Sequence, residues 1–364
     1  MKTGKRILVC PLEWGLGHAT RCVPVIRELT KQGAEVIIGS HGRPLAFLRR
    51  EFPEMLFIEM PGYRFRYPEK RSMALHMLFS APRILRGIRG EHRLLNRIVK
   101  DFRIDAVISD NRYGCWNDNI PCIFITHQLR ILAPPLYRWW SEPVLLSMNR
   151  NFISKYDELW IPDREGEFNL SGVLSHPGRL PANAHYIGPL SRFDMDFEPE
   201  DHDPSFQRDV LVILSGPEPQ RTVLEQMIFG QIRDFGGSAL IVRGITENDG
   251  FFRLSGSIEV YDHMDTNILA RYILNARTIV CRPGYSTLMD LFTLGKRALL
   301  IPTPGQTEQE YLASYLEGKM GFATALQKNI QLLDSIKSMI DQPVFKPGKE
   351  DNALETRIRL LLER

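Results

Sequence analysis

Short apolar runs rich in β-branched residues alternate with amphipathic helical patterns along almost the entire chain, and few folds accommodate that order. In the first half the runs are residues 6–10, 35–39, 56–59, 105–109, 122–126 and 158–161. In the second they are 209–214, 239–242, 258–261, 278–281 and 298–301, with helices predicted from Gln220, Asp265, Ser286 and Thr307. Runs of this length read as buried strands, and strand–helix alternation makes parallel sheets covered on both faces. At 364 residues and 43% hydrophobic content the chain can bury two such cores. Residues 191–205 are acidic and contain Pro199 and Pro204, which suits a linker. The predicted plan is α/β: two Rossmann-like, doubly wound domains, 1–190 and 206–350, with a ligand cleft between them. A terminal helix, 351–364, is expected to pack back across the domains.

Two glycine-dense loops follow strands and open helices: W-G-L-G-H-A-T-R at residues 14–21 and C-R-P-G-Y-S-T-L-M-D at 281–290. Backbone N–H groups at a helix start attract phosphate, and glycine lets a ligand approach the main chain closely. In the first loop Gly15 and Gly17 are expected to take positive φ, with His18 at the start of a helix running through Val23, Ile26 and Leu29. The positive helix end would keep the imidazole neutral and able to take a proton from an attacking hydroxyl. Glu13 on the same loop is the alternative base, and local capping is the plain structural role for His18. The loop lacks the third glycine of a dinucleotide fingerprint, and no G-x-x-x-x-G-K-[ST] occurs, so NAD and P-loop chemistry are not indicated.

In the second half Ser215, Gly216 and Pro217 follow a strand and Arg221 stands near the next helix start, forming a candidate phosphate loop or an ordinary turn. Around Gly284, Ser286 and Thr287 the N–H groups would face a diphosphate, and Asp290 could accept two hydrogen bonds from a ribose diol. Thr287-x-x-Asp290 also fits a capping box, as does Thr307-x-x-Glu310. Gln309 and Glu310, after the P-G-Q turn ending at Gln306, could grip sugar hydroxyls.

The five cysteines are scattered and never spaced C-x-x-C, which argues for a reducing compartment and against a zinc knuckle. The apolar run near the start is too short for a signal peptide, and no stretch reaches the roughly 20 residues of a spanning helix. A cytoplasmic protein, peripheral on the inner face of the membrane, is the expectation. Asp194-Met195-Asp196 resembles a metal-binding D-x-D but falls in the acidic linker, where solvated charge is the better account, so no metal is expected.

Charge is divided unevenly. Residues 1–190 carry 27 Lys and Arg against 18 Asp and Glu, leaving 19 against 25 for the remainder. Much of the basic excess lies over residues 82–100, where Arg83, Arg86, Arg89, Arg93 and Arg97 recur at three- and four-residue intervals opposite Ile84, Leu85, Ile88, Leu95 and Ile98. Such a helix can simply solvate its arginines. With Trp139 and Trp140 nearby, it could instead hold the first domain against an anionic lipid surface, where a lipid-linked acceptor would reside. No nucleic-acid motif is present.

These loops carry a family resemblance. G-L-G-H-A-T-R, S-G-P-E-P-Q-R and R-P-G-Y-S-T-L-M-D through P-T-P-G-Q-T-E-Q-E-Y resemble the two-domain GT-B glycosyltransferases, specifically family 28 enzymes related to MurG, the peptidoglycan N-acetylglucosaminyltransferase. The resemblance implies an inverting, metal-independent transfer of a hexose or N-acetylhexosamine from a UDP-sugar, held mainly by the second domain, to a hydroxyl acceptor in cell-envelope glycan synthesis. It implies Asp290 for the ribose, Gln309 and Glu310 for the donor sugar, and Ser215, Gly216 and Arg221 beside the diphosphate. Tyr261, His263 and Met264 fall along the base, His18 matches the glycine-loop histidine, and Gly17, Arg282, Gly284, Ser286, Thr287 and Gln306 complete the donor set. Two departures bear on the identity of sugar and acceptor: Glu310 replaces an amide, and the first loop is shorter in glycine. A nucleotide-sugar hydrolase of the G-x-G-H-x-x-R type and a catalytically silent sugar-nucleotide- or membrane-binding subunit are the alternatives.

Overall fold

The computed structural model describes residues 4–62, 73–193, 203–245, 248–339 and 352–364, with backbone alone over 73–81. Two compact units divide the chain: Met1–Leu190 with Glu350–Arg364, and Ser191–Lys349.

The first unit contains β1 (Arg6–Pro11), α1 (Leu16–Lys31), β2 (Glu35–Ser40), α2 (Gly42–Glu51), β3 (Leu56–Glu59) and α3 (Met73–Phe102). It continues with β4 (Ala106–Asp110), β5 (Cys122–Ile125), α4 (Arg138–Ile153), β6 (Glu158–Ile161) and β7 (Ala184–Tyr186). The sheet order is β3-β2-β1-β4-β5-β6-β7, and every pairing is parallel. Right-handed crossovers put α1 and α2 on one face and α3 and α4 on the other. Strand residues of one parity, including Leu8, Val107, Phe124 and Leu159, pack with Leu95 and Ile98 of α3 and Ile153 at the end of α4.

The second unit runs β8 (Arg208–Ile213), α5 (Gln220–Ile232), β9 (Ala239–Val242), β10 (Phe251–Ser255), β11 (Ile258–Tyr261) and α6 (Thr266–Asn275). Then come β12 (Ala276–Cys281), α7 (Tyr285–Thr293), β13 (Ala298–Leu300), α8 (Thr307–Leu316), β14 (Phe322–Thr324) and α9 (Leu332–Met339). Its sheet, β10-β11-β9-β8-β12-β13-β14, is parallel except that β10 runs antiparallel to β11. That hairpin corrects the expectation of a purely parallel sheet. A tight turn joins the two strands, and β10 is an exposed edge with no apolar run to announce it.

In each unit the strand order reverses beside the first strand, between β1 and β4 and between β8 and β12. Ligands of open α/β sheets sit beyond the carboxyl ends of the strands at such a reversal. The glycine loops therefore leave their sheets at the two positions where a site is expected.

The last helix, α10 (Ala353–Glu363), belongs to the first unit. Arg357 and Arg364 both pair with the buried carboxylate of Glu158, which also accepts from Trp160 Nε1 at 2.7 Å. Gln32 at the end of α1 donates to Glu355 O at 3.0 Å. The Asp194-Met195-Asp196 motif and most of the predicted linker lie outside the described residues.

Candidate functional site

Helix α1 starts at Leu16, earlier than predicted, so Gly17 is helical and only Gly15, at φ 96°, takes the left-handed conformation. Gly15 stands at the N-cap and offers no side-chain cap hydrogen bond. His18 lies in the first turn, and one turn later Arg21, 2% exposed, meets Asp110, the fully buried last residue of β4. Because β1 and β4 are register neighbours, with Pro11 opposite Asp110, the two strands deliver loop and carboxylate to the same point.

The guanidinium of Arg21 organises this cluster. Nε donates to Asp110 Oδ2 at 2.7 Å, and Nη2 closes a bidentate pair on Oδ1. Nη2 also lies 2.8 Å from His18 Nδ1, while Nη1 lies 3.1 Å from His127 Nδ1. Burial raises the cost of the Asp110 charge, but Arg21 and His18 outweigh it and hold its pKa down at about 2. Burial and then Arg21 lower the pKa of His18, with Asp110 opposing, so the ring is neutral near pH 7. Desolvation and a neighbouring guanidinium thus keep it neutral, where the sequence pointed to the helix end.

The two neighbours of His18 Nδ1 demand opposite tautomers. Arg21 can only donate, so its 2.8 Å contact places the ring proton on Nε2; Asp110 can only accept, so its contact at 3.3 Å places the proton on Nδ1. Only the second form leaves Nε2 free to receive a proton. Asp110, Arg21 and His127 were not singled out from the sequence, although a carboxylate immediately after a buried strand at the reversal point was a readable signal. Glu13, the alternative base, accepts from Gly62 N at 3.2 Å through Oε2.

In the second unit three loops converge at the carboxyl edge. Arg282 follows β12 and is fully buried. Its Nη1 donates to Ile301 O and Pro302 O, and Nη2 to Gln220 O, each at 3.0 Å. The side chain therefore braces the loop after β13 against the start of α5. Burial lowers its pKa to about 10, which leaves it charged at neutral pH, and no carboxylate pairs with it among the described residues. Nearby, Thr303 Oγ1 and Gln306 Oε1 are buried and unpartnered. Gly216 takes φ 106°, a conformation that favours glycine, and a Cβ there would be in ordinary contact with Thr303 Oγ1 at 3.8 Å.

Other predicted donor residues have defined partners. Gln309 Oε1 accepts from Thr303 N at 2.9 Å and exposed Glu310 Oε1 from Gly305 N at 2.8 Å, so both shape the P-G-Q turn. Ser215, Gly284, Ser286 and Thr287 are partly exposed along the same edge. Tyr261 packs against Phe251 with ring centroids 4.7 Å apart and the planes tilted by 43°, Met264 is buried, and His263 is half-buried.

Two residues depart from expectation. Arg221 is tied to Glu218 and, at 2.8 Å, to Glu225, its neighbours three residues before and four after, so it already has carboxylate partners where a bare phosphate ligand was expected. Asp290 Oδ1 accepts from Ser191 Oγ at 2.8 Å and Arg192 N at 3.2 Å, with Arg192 Nε 3.6 Å from Oδ2. The carboxylate assigned to a ribose therefore already anchors the first residues of its own unit, with Oδ1 engaged twice.

Burial raises the Asp290 pKa to about 6 against the pull of Arg192 and Ser191. The folded chain therefore binds this proton more tightly than the unfolded chain, and the associated stability, full below about pH 4, is lost as pH rises through 6. A shift of this size corresponds to about 2–3 kcal/mol. Asp290→Asn is expected to melt above the parent at pH 8, and that advantage should shrink at pH 4. Equal differences at both pH values would mean that Asp290 does not titrate in this range.

The arginine row lies on α3 as predicted: Arg83, Arg86, Arg89, Arg93 and Arg97 are exposed while Ile88, Leu95 and Ile98 are buried. On α4 Trp139 is 81% exposed, whereas Trp140 is half-buried and edge-on to Tyr137. No described helix is long and apolar enough to cross a membrane.

Two Rossmann-like units, each with a candidate site at its strand-order reversal, give the chain the GT-B fold, and its family matches and relatives make it a glycosyltransferase. Within that class the chain is MurG-like. Residues 5–132 match the family described as glycosyl transferase family 1, and residues 246–360 match the glycosyltransferase family 28 C-terminal domain. An uncharacterized glycosyltransferase of Methanosarcina mazei is 20% identical over 91% of this chain and 89% of its own length. The UDP-N-acetylglucosamine--N-acetylmuramyl-(pentapeptide) pyrophosphoryl-undecaprenol N-acetylglucosamine transferase of Listeria monocytogenes is 25% identical over 93% of this chain and 91% of its own. Among solved structures, the glycosyltransferase SnogD from Streptomyces nogalater superposes with a TM-score of 0.63 at 14% identity, covering 99% of this chain and 95% of that one. Acinetobacter baumannii MurG gives 0.53 at 13% identity, covering 99% and 100%.

Proposed function

We propose that this glycosyltransferase moves a hexose or N-acetylhexosamine from a UDP-sugar to the hydroxyl of a lipid-linked acceptor, with inversion and without a metal. The observation that carries the donor half is Arg282. A buried guanidinium without a carboxylate is costly, and an anionic ligand at the loops it braces would supply the missing counter-charge. The unpartnered Thr303 Oγ1 and Gln306 Oε1 give the same edge two groups suited to sugar hydroxyls. Under this proposal Oδ2 of Asp290 remains for a ribose hydroxyl. In the first unit, His18 in its Nδ1–H form takes the acceptor proton at Nε2 while Asp110 holds Nδ1.

Calorimetry with UDP-, GDP- and dTDP-sugars, followed by mass spectrometry of products formed with cell lipid extracts, tests the proposal. UDP-sugar binding with a glycosylated lipid product is expected. Free sugar released at full rate without an acceptor would replace transfer by hydrolysis.

The acceptor half rests on the exposed arginine row of α3 and on the exposed Trp139 of α4. Replacing Arg86, Arg93 and Arg97 together by glutamine is expected to weaken cosedimentation with anionic vesicles by about 1 kcal/mol per residue and to flatten its salt dependence, with donor binding intact. Equal sedimentation of variant and parent would leave the arginines as a solvated face.

A further inference from the structure

We propose that Glu218 is a built-in stand-in for the donor's diphosphate: its carboxylate occupies the outward edge of Arg221 until a phosphate displaces it, and takes that edge back when the nucleoside diphosphate leaves. The inference rests on the reading of the second unit as the donor site, and it adds a residue that this reading does not use.

Glu218 and Arg221 belong to the segment that leaves β8 and enters α5, beside the strand-order reversal. The guanidinium of Arg221 is held on two sides. On the inward side its Nη1 donates to Glu225 Oε2 at 2.8 Å. Glu225 is buried and is itself gripped by Arg243, which donates from Nε to Oε2 at 2.8 Å and from Nη2 to Oε1 at 2.9 Å. Arg243 Nη1 in turn donates to Asp262 Oδ1 at 2.6 Å, so this ion chain joins the first turns of α5 to residues just after β9 and β11. On the outward side Arg221 Nε donates to Glu218 Oε1 at 2.7 Å, and Nη2 lies 2.5 Å from the same oxygen.

Exposure and charge both single out Glu218 as the removable partner. Its side chain is 56% exposed, against 7% for that of Glu225. An exposed ion pair is weak and opens readily, whereas loss of a buried one strands a charge away from water. The two guanidiniums of Arg221 and Arg243 face three carboxylates, those of Glu218, Glu225 and Asp262. Departure of Glu218 therefore leaves the rest of the chain in balance. Arg221 stays aimed through Glu225 while its Nε and Nη2 donors, a fork that fits phosphate oxygens, change partner. The adjacent Gln220 O accepts from Arg282 Nη2 at 3.0 Å, which ties the same helix start to the buried guanidinium that lacks a carboxylate among the described residues.

Calorimetry at constant ionic strength with UDP, inorganic pyrophosphate and uridine tests the exchange. Glu218 Oε2 also accepts from Thr222 N at 3.2 Å, and Glu218→Gln removes the charge while keeping an oxygen for that bond at the start of α5. This variant is expected to bind UDP and pyrophosphate about two- to five-fold more tightly than the parent, the size of an exposed ion pair's contribution, with uridine unchanged. Glu218→Gln/Arg221→Gln should bind no more tightly than Arg221→Gln alone. Asp234→Asn, which removes an exposed charge just beyond the opposite end of α5, should leave diphosphate affinity at the parent value. A gain that persists without Arg221, that uridine shares, or that Asp234→Asn reproduces would overturn the inference. UDP binding to the parent with no gain, or a loss, in Glu218→Gln sinks this inference alone. Failure of UDP and pyrophosphate to bind either protein sinks it together with the donor reading.

Discussion

His18→Ala is expected to lower turnover by at least about a hundred-fold while leaving UDP-sugar affinity within a few-fold of the parent. A sugar hydroxyl is a poor nucleophile until its proton is drawn away, and a positioned base typically contributes ~10²–10⁴-fold. The loops proposed to hold the donor belong to the second unit, so removal of an imidazole from the first should appear in kcat far more than in donor binding. Steady-state kinetics with a melting-temperature control separate this from a structural role. Near-normal turnover would take His18 out of the mechanism, and a large loss of stability with normal turnover in the folded fraction would make it a helix-start residue only.

The second large effect belongs to Asp110. Its carboxylate is the counter-charge of the buried Arg21 and, under the proposed mechanism, the acceptor for the Nδ1–H form of His18. Asp110→Asn removes the charge but keeps the shape, and the 2.8 Å contact from Arg21 would then hold the ring proton on Nε2. Turnover should fall by about 10²–10⁴-fold, comparable to loss of His18 itself, and a double variant should be little worse than either single one. Asp110→Ala should in addition cost about 3–5 kcal/mol of stability, because Arg21 is left buried without a partner. The charge contributes above about pH 4, and the contribution fades as pH falls towards 2. If the effects of Asp110→Asn and His18→Ala simply multiply, the two residues do not act as one unit.

The sequence was most legible where physics is repetitive. The central strands are continuous apolar runs because both faces are covered, and their predicted bounds agree with the structure to within one or two residues. The strands that escaped notice are the edge strands β7, β10 and β14, which are short and only partly buried and so carry no such run. At the site, the glycine loops were visible because positive φ and close approach need particular residues. What stayed hidden was pairing between distant segments. The pairs of Arg221 with Glu218 and Glu225 stand at readable three- and four-residue spacings, whereas nothing local announces that Asp290 meets Ser191, 99 residues away. The Arg21–Asp110 pair joins positions 89 residues apart and emerges only once β1 and β4 lie side by side.

The return of α10 to the first unit makes that unit discontinuous in sequence, with the second unit encoded as an insertion between residues 190 and 350. During synthesis Glu158 is therefore made long before Arg357 and Arg364, and at about 5–20 residues per second the interval is roughly ten to forty seconds. Until then an acidic side chain destined for burial must remain hydrated, and the surface of α1 that meets α10 stays uncovered. The first unit begins folding first yet is completed last, so a premature stop anywhere after residue 350 would harm the oldest part of the chain rather than the newest.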